Sequence, residues 1–335
     1  MQTIHIESLI EKIYATVQRH KLDGEGRYAR WIWQKEGYDR ELGINEYGCA
    51  DAANILYTIG RFPSESAERE AWIRALQGLQ DPESGLWREA THHYIHTTAH
   101  CTAALELFDA KPAHRVHALL PYAKPEKLYE LLESLDWLKN PWGQSHQGAG
   151  IYAILQLTGE ADDAWRDAYF GWLWDNADPE TGLWRKGCTT AGEAPVYQHM
   201  AGSFHYLFNV EHAHQPLRYP DKMIDSCLDM YEKKAIGGAF GAYIGFLEID
   251  WVFCLTRASR QTPHRFFDVR EALEGFAVDF IDYLNSLDTE THDVFNDLHA
   301  LFGTVCCLAE LQQALPGVLR TKVPLKLVLD RRPFI

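Results

Sequence analysis

The chain has 335 residues, 46% hydrophobic and 24% charged, a composition that supplies a sizeable core. Its 47 acidic and 32 basic residues give a formal charge of −15, which argues against a surface for nucleic acid or anionic lipid. Seven scattered cysteines without a C-x-x-C pair, no signal-like N-terminus and no run of about 18 apolar residues lead us to expect a cytoplasmic protein with reduced thiols and no membrane span.

In chain order, "IESLIEKIYATVQRH" is an amphipathic helix, followed by the turn "LDGEGRY" and the apolar helix "GCADAANILYTIG". "SESAEREAWIRALQGLQ" is the next helix, with Trp72, Leu76 and Leu79 on one face and Ser64 or Ser66 as its cap. "DPESGLW", Asp81–Trp87, stops it: Pro82 cannot continue a helix, and Gly85 permits a left-handed turn. Leu86 and Trp87 then return to the core, and "THHYIHTTAHCTAALELF" forms the second helix of the pair.

The same grammar recurs. "PEKLYELLESLDWLK" leads through "NPWGQ" to "HQGAGIYAILQLTG", and "EADDAWRDAYFGWLWDNA" leads through "DPETGLW", Asp178–Trp184, to "VYQHMAGSFHYLFNV". "PDKMIDSCLDMYEKK" pairs with "AYIGFLEIDWVFCLTR", and "ALEGFAVDFIDYLN" pairs through "SLDTETHDVF" with "DLHALFGTVCCLAELQQ". The six second helices are expected to begin near Cys49, His96, Gln147, Gln198, Gly245 and His299, at spacings of 47, 51, 51, 47 and 54.

A two-helix unit repeated every 50 or so residues cannot bury its own apolar face and must stack on its neighbours. The second helices are rich in Ala, Gly, Leu and Ile, with polar groups at their N-terminal ends, and the first helices are more charged. That pattern predicts an all-α fold: a closed (α/α)6 toroid of six hairpins, an inner helix ring within an outer one. One domain spans residues 1–335, with a short extended tail from about residue 322.

"ALQGLQDPESGLW" followed by "HTTAHCTAALEL" resembles the repeats of terpenoid-cyclase and protein-prenyltransferase toroids. "DPETGLWR" is similar to the loops of six-hairpin glycosidases. The resemblance covers nearly the whole chain and implies the architecture more than the chemistry. No DxDD acid motif occurs, and the D-x-C of Asp225–Cys227 falls on a predicted outer helix.

In a toroid the N-termini of the inner helices open onto one end of the central cavity, where N–H groups are unsatisfied. That register makes Asp51, Asp250 and Asp297 candidate catalytic carboxylates, with His96 and His100 as acid–base partners. Asp297 reads equally as a helix N-cap. Candidate substrate-binding residues are Glu46, His92, His146, Gln147, Gln198, His199, His205 and His299.

No cofactor is expected, although His92, His96 and His100 have the i, i+4, i+8 spacing of a helical face that could chelate a metal. The expected function is acid–base catalysis on a carbohydrate, a small molecule or oligosaccharide, with glycoside hydrolysis ahead of epimerisation or elimination. Sugar 2-epimerases on similar barrels, with histidines as acid and base, supply the second reading. An isoprenoid-processing enzyme and a non-catalytic binding scaffold are the other classes. Nothing in the sequence fixes an oligomeric state.

Overall fold

The computed structural model describes residues 3–235 and 245–335. Helix makes up 58% of it, which settles the all-α class. In chain order the helices are α1 (Glu7–Arg19), α2 (Glu46–Thr58), α3 (Ser66–Gln77), α4 (Tyr94–Glu106), α5 (Pro125–Ser134), α6 (Pro141–Thr158) and α7 (Asp163–Asn176). They continue with α8 (Val196–His212), α9 (Pro220–Glu232), α10 (Leu247–Ser259), α11 (Phe266–Ser286), α12 (Leu298–Ala314) and a short α13 (Val328–Arg331). A two-residue parallel pair, Ile4–His5 on Leu319–Arg320, ties the two ends of the chain together. No helix among the described residues is long and apolar enough to cross a membrane.

The odd- and even-numbered helices differ as the sequence implied. In α1 the buried residues Leu9, Ile10, Ile13 and Val17 form one stripe, and α5 buries only Leu128, Leu131 and Leu132. By contrast α2, α4, α6, α8, α10 and α12 are buried on nearly every side, which requires neighbours all round. Each of these packs on the next, α2 on α4, α4 on α6, α6 on α8, α8 on α10 and α10 on α12; α12 then packs back on α2. The contacts of the even helices therefore close into a cycle. Part of the predicted segment before α10 lies outside the described residues.

The repeated seven-residue phrase builds the same loop twice. Asp81 N–H donates to the Leu86 carbonyl and Gly85 N–H to the Asp81 carbonyl; Asp178, Leu183 and Gly182 repeat both bonds. Gly85 and Gly182 both adopt positive φ, 75° and 72°. A Cβ at Gly85 would lie 2.1 Å from the Arg115 carbonyl oxygen, and one at Gly182 would lie 2.4 Å from the Met223 nitrogen. Glycine is thus required twice over at each position, by conformation and by the chain packed against it.

Some boundaries differ from expectation. Neither Ser64 nor Ser66 caps α3; Glu65 precedes its first residue and makes no side-chain cap bond. α6 starts six residues before Gln147, because Pro141 fits the first helical turn and Asn140 accepts from Gly143 N–H. The C-terminal segment does not trail as an extended tail. Arg257, fully buried in α10, pairs with Glu310, Glu211 and Asp330, and so fixes α13. Beyond α13, Arg332 donates from Nε to Asn54 at 2.8 Å, and the Pro333 carbonyl accepts from Asn209 at 2.9 Å. Phe334 is buried, its ring 5.0 Å from His96 and 5.4 Å from Phe208. Asn54 and Asn209 stand late in their helices and His96 early in its own. The segment therefore enters among the C-terminal ends of the even helices and points toward their N-terminal ends.

Candidate functional site

A cavity of about 440 Å³ lies at the N-terminal ends of the even helices. Its wall is formed by His92, His93 and His96 at the start of α4, Asn140, Trp142 and His146 at the start of α6, and Gln198 and His205 of α8. Phe246 and Asp250 contribute from the start of α10 and His299 from α12, and Thr91, Gly143 and Ile335 are the other described residues of the wall. A larger groove of about 700 Å³ lies outside, against α6, α7 and α8. There Arg166 and Asp163 pair at the surface, and no buried polar atom without a partner faces the groove. The chemistry concentrates in the smaller cavity.

Behind its wall stands Asp51, in the second turn of α2 and fully buried. His100 lies with Nε2 2.7 Å from Asp51 Oδ1, and His299 with Nδ1 3.1 Å from Oδ2. Burial pushes this carboxyl up, but His299 and His100 outweigh it and hold Asp51 well below the usual carboxylate range. Asp51 is thus an anion that orients two imidazoles, and it does not reach the cavity. Asp51→Asn is expected to cost about 1–3 kcal/mol in chemical denaturation, the penalty for leaving a buried donor without its acceptor. Unchanged stability would remove this positioning role.

Asp250 is the opposite case. It is fully buried on the cavity wall, and neither carboxylate oxygen has a hydrogen-bond partner among the described residues. Burial, with Glu248 as a neighbouring negative charge, pushes its pKa well above the usual value, so Asp250 is a neutral carboxylic acid. Glu248 itself accepts from Gly245 N–H at 3.0 Å and is pushed up to about 7 by burial.

The remaining candidates divide. Asp297 caps α12 through His299 N–H at 3.0 Å and forms a paired bond with Arg30 at 2.8 and 3.1 Å. Its carboxylate is fully used in structure, and it is absent from the cavity wall. His199 faces the other way, its Nδ1 3.1 Å from the Trp184 carbonyl in the hairpin loop. Glu46, pushed up to about 7 by burial, and Gln147 also stand off the wall, as does His100. His92, His96, His146, Gln198, His205 and His299 do line the cavity. His205 Nδ1 lies 2.8 Å from Ser145 Oγ, and burial pushes its imidazole down to about 3, keeping it neutral. His146 has a buried Nε2 without a hydrogen-bond partner among the described residues.

Residues that sequence reasoning passed over complete the arrangement. Tyr47 places its hydroxyl 2.6 Å from His96 Nδ1. Thr91 donates to Glu89 at 2.6 Å and lies 2.7 Å from His92 Nδ1. Tyr47 adjoins Glu46 and Thr91 adjoins His92 in sequence; that adjacency was the available signal. Ile335 carried none. The metal-capable face is also different from the spacing-based one. α4 begins at Tyr94, after His92; among the described residues two groups of possible ligand atoms converge, His92 with His96 and His299, and Asp51 with His100 and His299, the latter already joined by hydrogen bonds. No protein family matches this chain, and no curated protein or solved structure matches it either.

Proposed function

We propose that the chain is an (α/α)6 toroid and an enzyme that acts on a carbohydrate by proton transfer in the cavity just described. The closed cycle of even helices and their odd-numbered outer partners support the architecture. The chemistry rests on one observation: the fully buried carboxyl of Asp250, without a hydrogen-bond partner among the described residues, on a histidine-lined wall. A neutral carboxylic acid in such a place donates to an oxygen that gains negative charge as a neighbouring carbon loses its proton. His205, turned by Ser145, presents Nε2 as the proton acceptor.

Proton abstraction beside a carbonyl or carboxylate of a sugar, leading to epimerisation or elimination, comes ahead of glycoside hydrolysis. Hydrolysis commonly needs two carboxyl groups flanking the bond, and Asp51, the expected second one, is closed off behind His100 and His299. The wall of imidazoles, Asn140, Gln198 and Trp142 favours a polar, ring-shaped substrate over an isoprenoid chain.

The test is incubation of the full chain with a panel of sugars and uronates in deuterated water, read by proton NMR for exchange at carbon, with reducing ends assayed in parallel. Wild type is expected to exchange or eliminate on at least one member, and Asp250→Asn and His205→Gln each to lower the rate by roughly 100-fold or more. Retained turnover in a folded Asp250→Asn protein would overturn the proposal. Release of reducing ends without carbon exchange would return hydrolysis to first place.

A further inference from the structure

The strongest arrangement left unused by that reading is the trio His92, His96 and His299, in which one ring nitrogen of each lies within 4.8 Å of the other two. His92 precedes α4, His96 is in its first turn, and His299 is in the first turn of α12. Residues distant in sequence are thus brought to one spot on the cavity wall.

Hydrogen bonding fixes which nitrogen two of the three rings, His92 and His299, have free. Thr91 donates its hydroxyl proton to Glu89, so toward His92 it accepts, and His92 carries its proton on Nδ1. Asp51 can only accept, so His299 also carries its proton on Nδ1. The Tyr47 hydroxyl lies between His96 Nδ1 at 2.6 Å and Thr97 Oγ1 at 3.4 Å. Both contacts allow either direction; in the tautomer with the His96 proton on Nδ1, the Tyr47 oxygen accepts it and the Tyr47 proton turns to Thr97. His92 and His299 thus keep a lone pair on Nε2, His96 does so in that tautomer, and none of the three Nε2 atoms has a hydrogen-bond partner among the described residues.

We infer that His92, His96 and His299 form a binding site for one divalent transition-metal ion of zinc's class, ligated through the three Nε2 atoms. Imidazoles that donate their other N–H to a carboxylate or hydroxyl are the arrangement in which protein metal ligands are held. Three neutral nitrogens without thiolate or carboxylate in direct reach suit zinc or a similar ion, and leave an open position toward the cavity. Two bonds of about 2.1 Å at a tetrahedral angle span about 3.4 Å, so nitrogens within 4.8 Å of one another reach ligation when the rings close in by up to about 1.4 Å. A second observation points the same way: Asp250 and the buried Nε2 of His146, both without a hydrogen-bond partner among the described residues, share this cavity wall. A metal-bound water or substrate oxygen would supply the partner that these groups lack.

The site stands independently of the sugar reading, and its test separates the two. The full chain is stripped with a chelator, dialysed against zinc(II), and analysed for bound metal. One zinc per chain is expected. His92→Gln should weaken binding at least tenfold, with its far-UV circular dichroism unchanged. His205→Gln should retain zinc fully, because His205 belongs to the proton-transfer proposal and not to this trio. Cobalt(II) loading of the wild type gives a readout that needs no variant: an intense visible band of low-coordinate cobalt is expected. Absence of stoichiometric zinc, a cobalt spectrum like that of the solvated ion, or equal affinity in a folded His92→Gln/His96→Gln protein would each overturn the inference.

Discussion

Replacing Trp87 or Trp184 by alanine is expected to cost about 3–5 kcal/mol of folding stability, the range for a large aromatic truncated within a core. Both side chains are buried, at 0% and 3% exposure. Each also makes the same directed bond: the indole N–H of Trp87 donates to the Leu76 carbonyl at 2.8 Å, and that of Trp184 to the Leu173 carbonyl at 2.7 Å. These carbonyls lie near the C-terminal ends of α3 and α7, where acceptors run out of helical partners. The truncation therefore opens a cavity and removes a directed bond together, although the Leu76 carbonyl keeps the Leu79 N–H at 3.3 Å. Trp174, 43% exposed on α7, is the control and should cost less than about 1 kcal/mol. Urea denaturation of the three variants decides the matter. Equal losses at all three positions, or none at Trp87 and Trp184, would make the hairpin tryptophans surface residues in energetic terms.

The second large effect is on acid stability. Below about pH 6.5 an imidazole in the unfolded chain binds a proton. Buried His205 does not do so until about pH 3. Over that window the unfolded state holds more protons, so stability is full above about 6.5 and falls with pH, by about 1.4 kcal/mol per unit. Between about pH 6.5 and about 4.5, His205→Gln should therefore lose about 2 kcal/mol less than wild type. Asp250 has the reverse sign. Its folded pKa is raised, so the folded state holds the extra proton and wild type is penalised as pH rises above the ordinary carboxyl range. Asp250→Asn should gain on wild type toward neutral pH. Denaturation curves across this range test both; stability differences that stay constant with pH would show that neither group is held uncharged by burial.

How far the residues alone carry the description depends on the range of the interactions concerned. The even helices, with the start of α6 misplaced by six residues, the two glycine turns and the return of Trp87 and Trp184 into the core were legible, because helical periodicity and turn conformation act over a few residues. So was the enrichment of histidine at one end of the even helices. The division of labour among the acidic residues was not. Asp51, Asp250 and Asp297 look alike in sequence, each early in or just ahead of an apolar helix. Their roles depend on partners elsewhere: His299, 248 residues from Asp51, Arg30, 267 residues from Asp297, and for Asp250 no partner among the described residues. The same holds for the histidines. Spacing groups His92, His96 and His100 on one helix, but Asp51 withdraws His100 and turns His299 into its place. Periodicity assigns a residue to an element and a face; only the packing of one helix on another sets which charge meets it, and that determines whether a buried carboxyl is ionised, neutral or a cap.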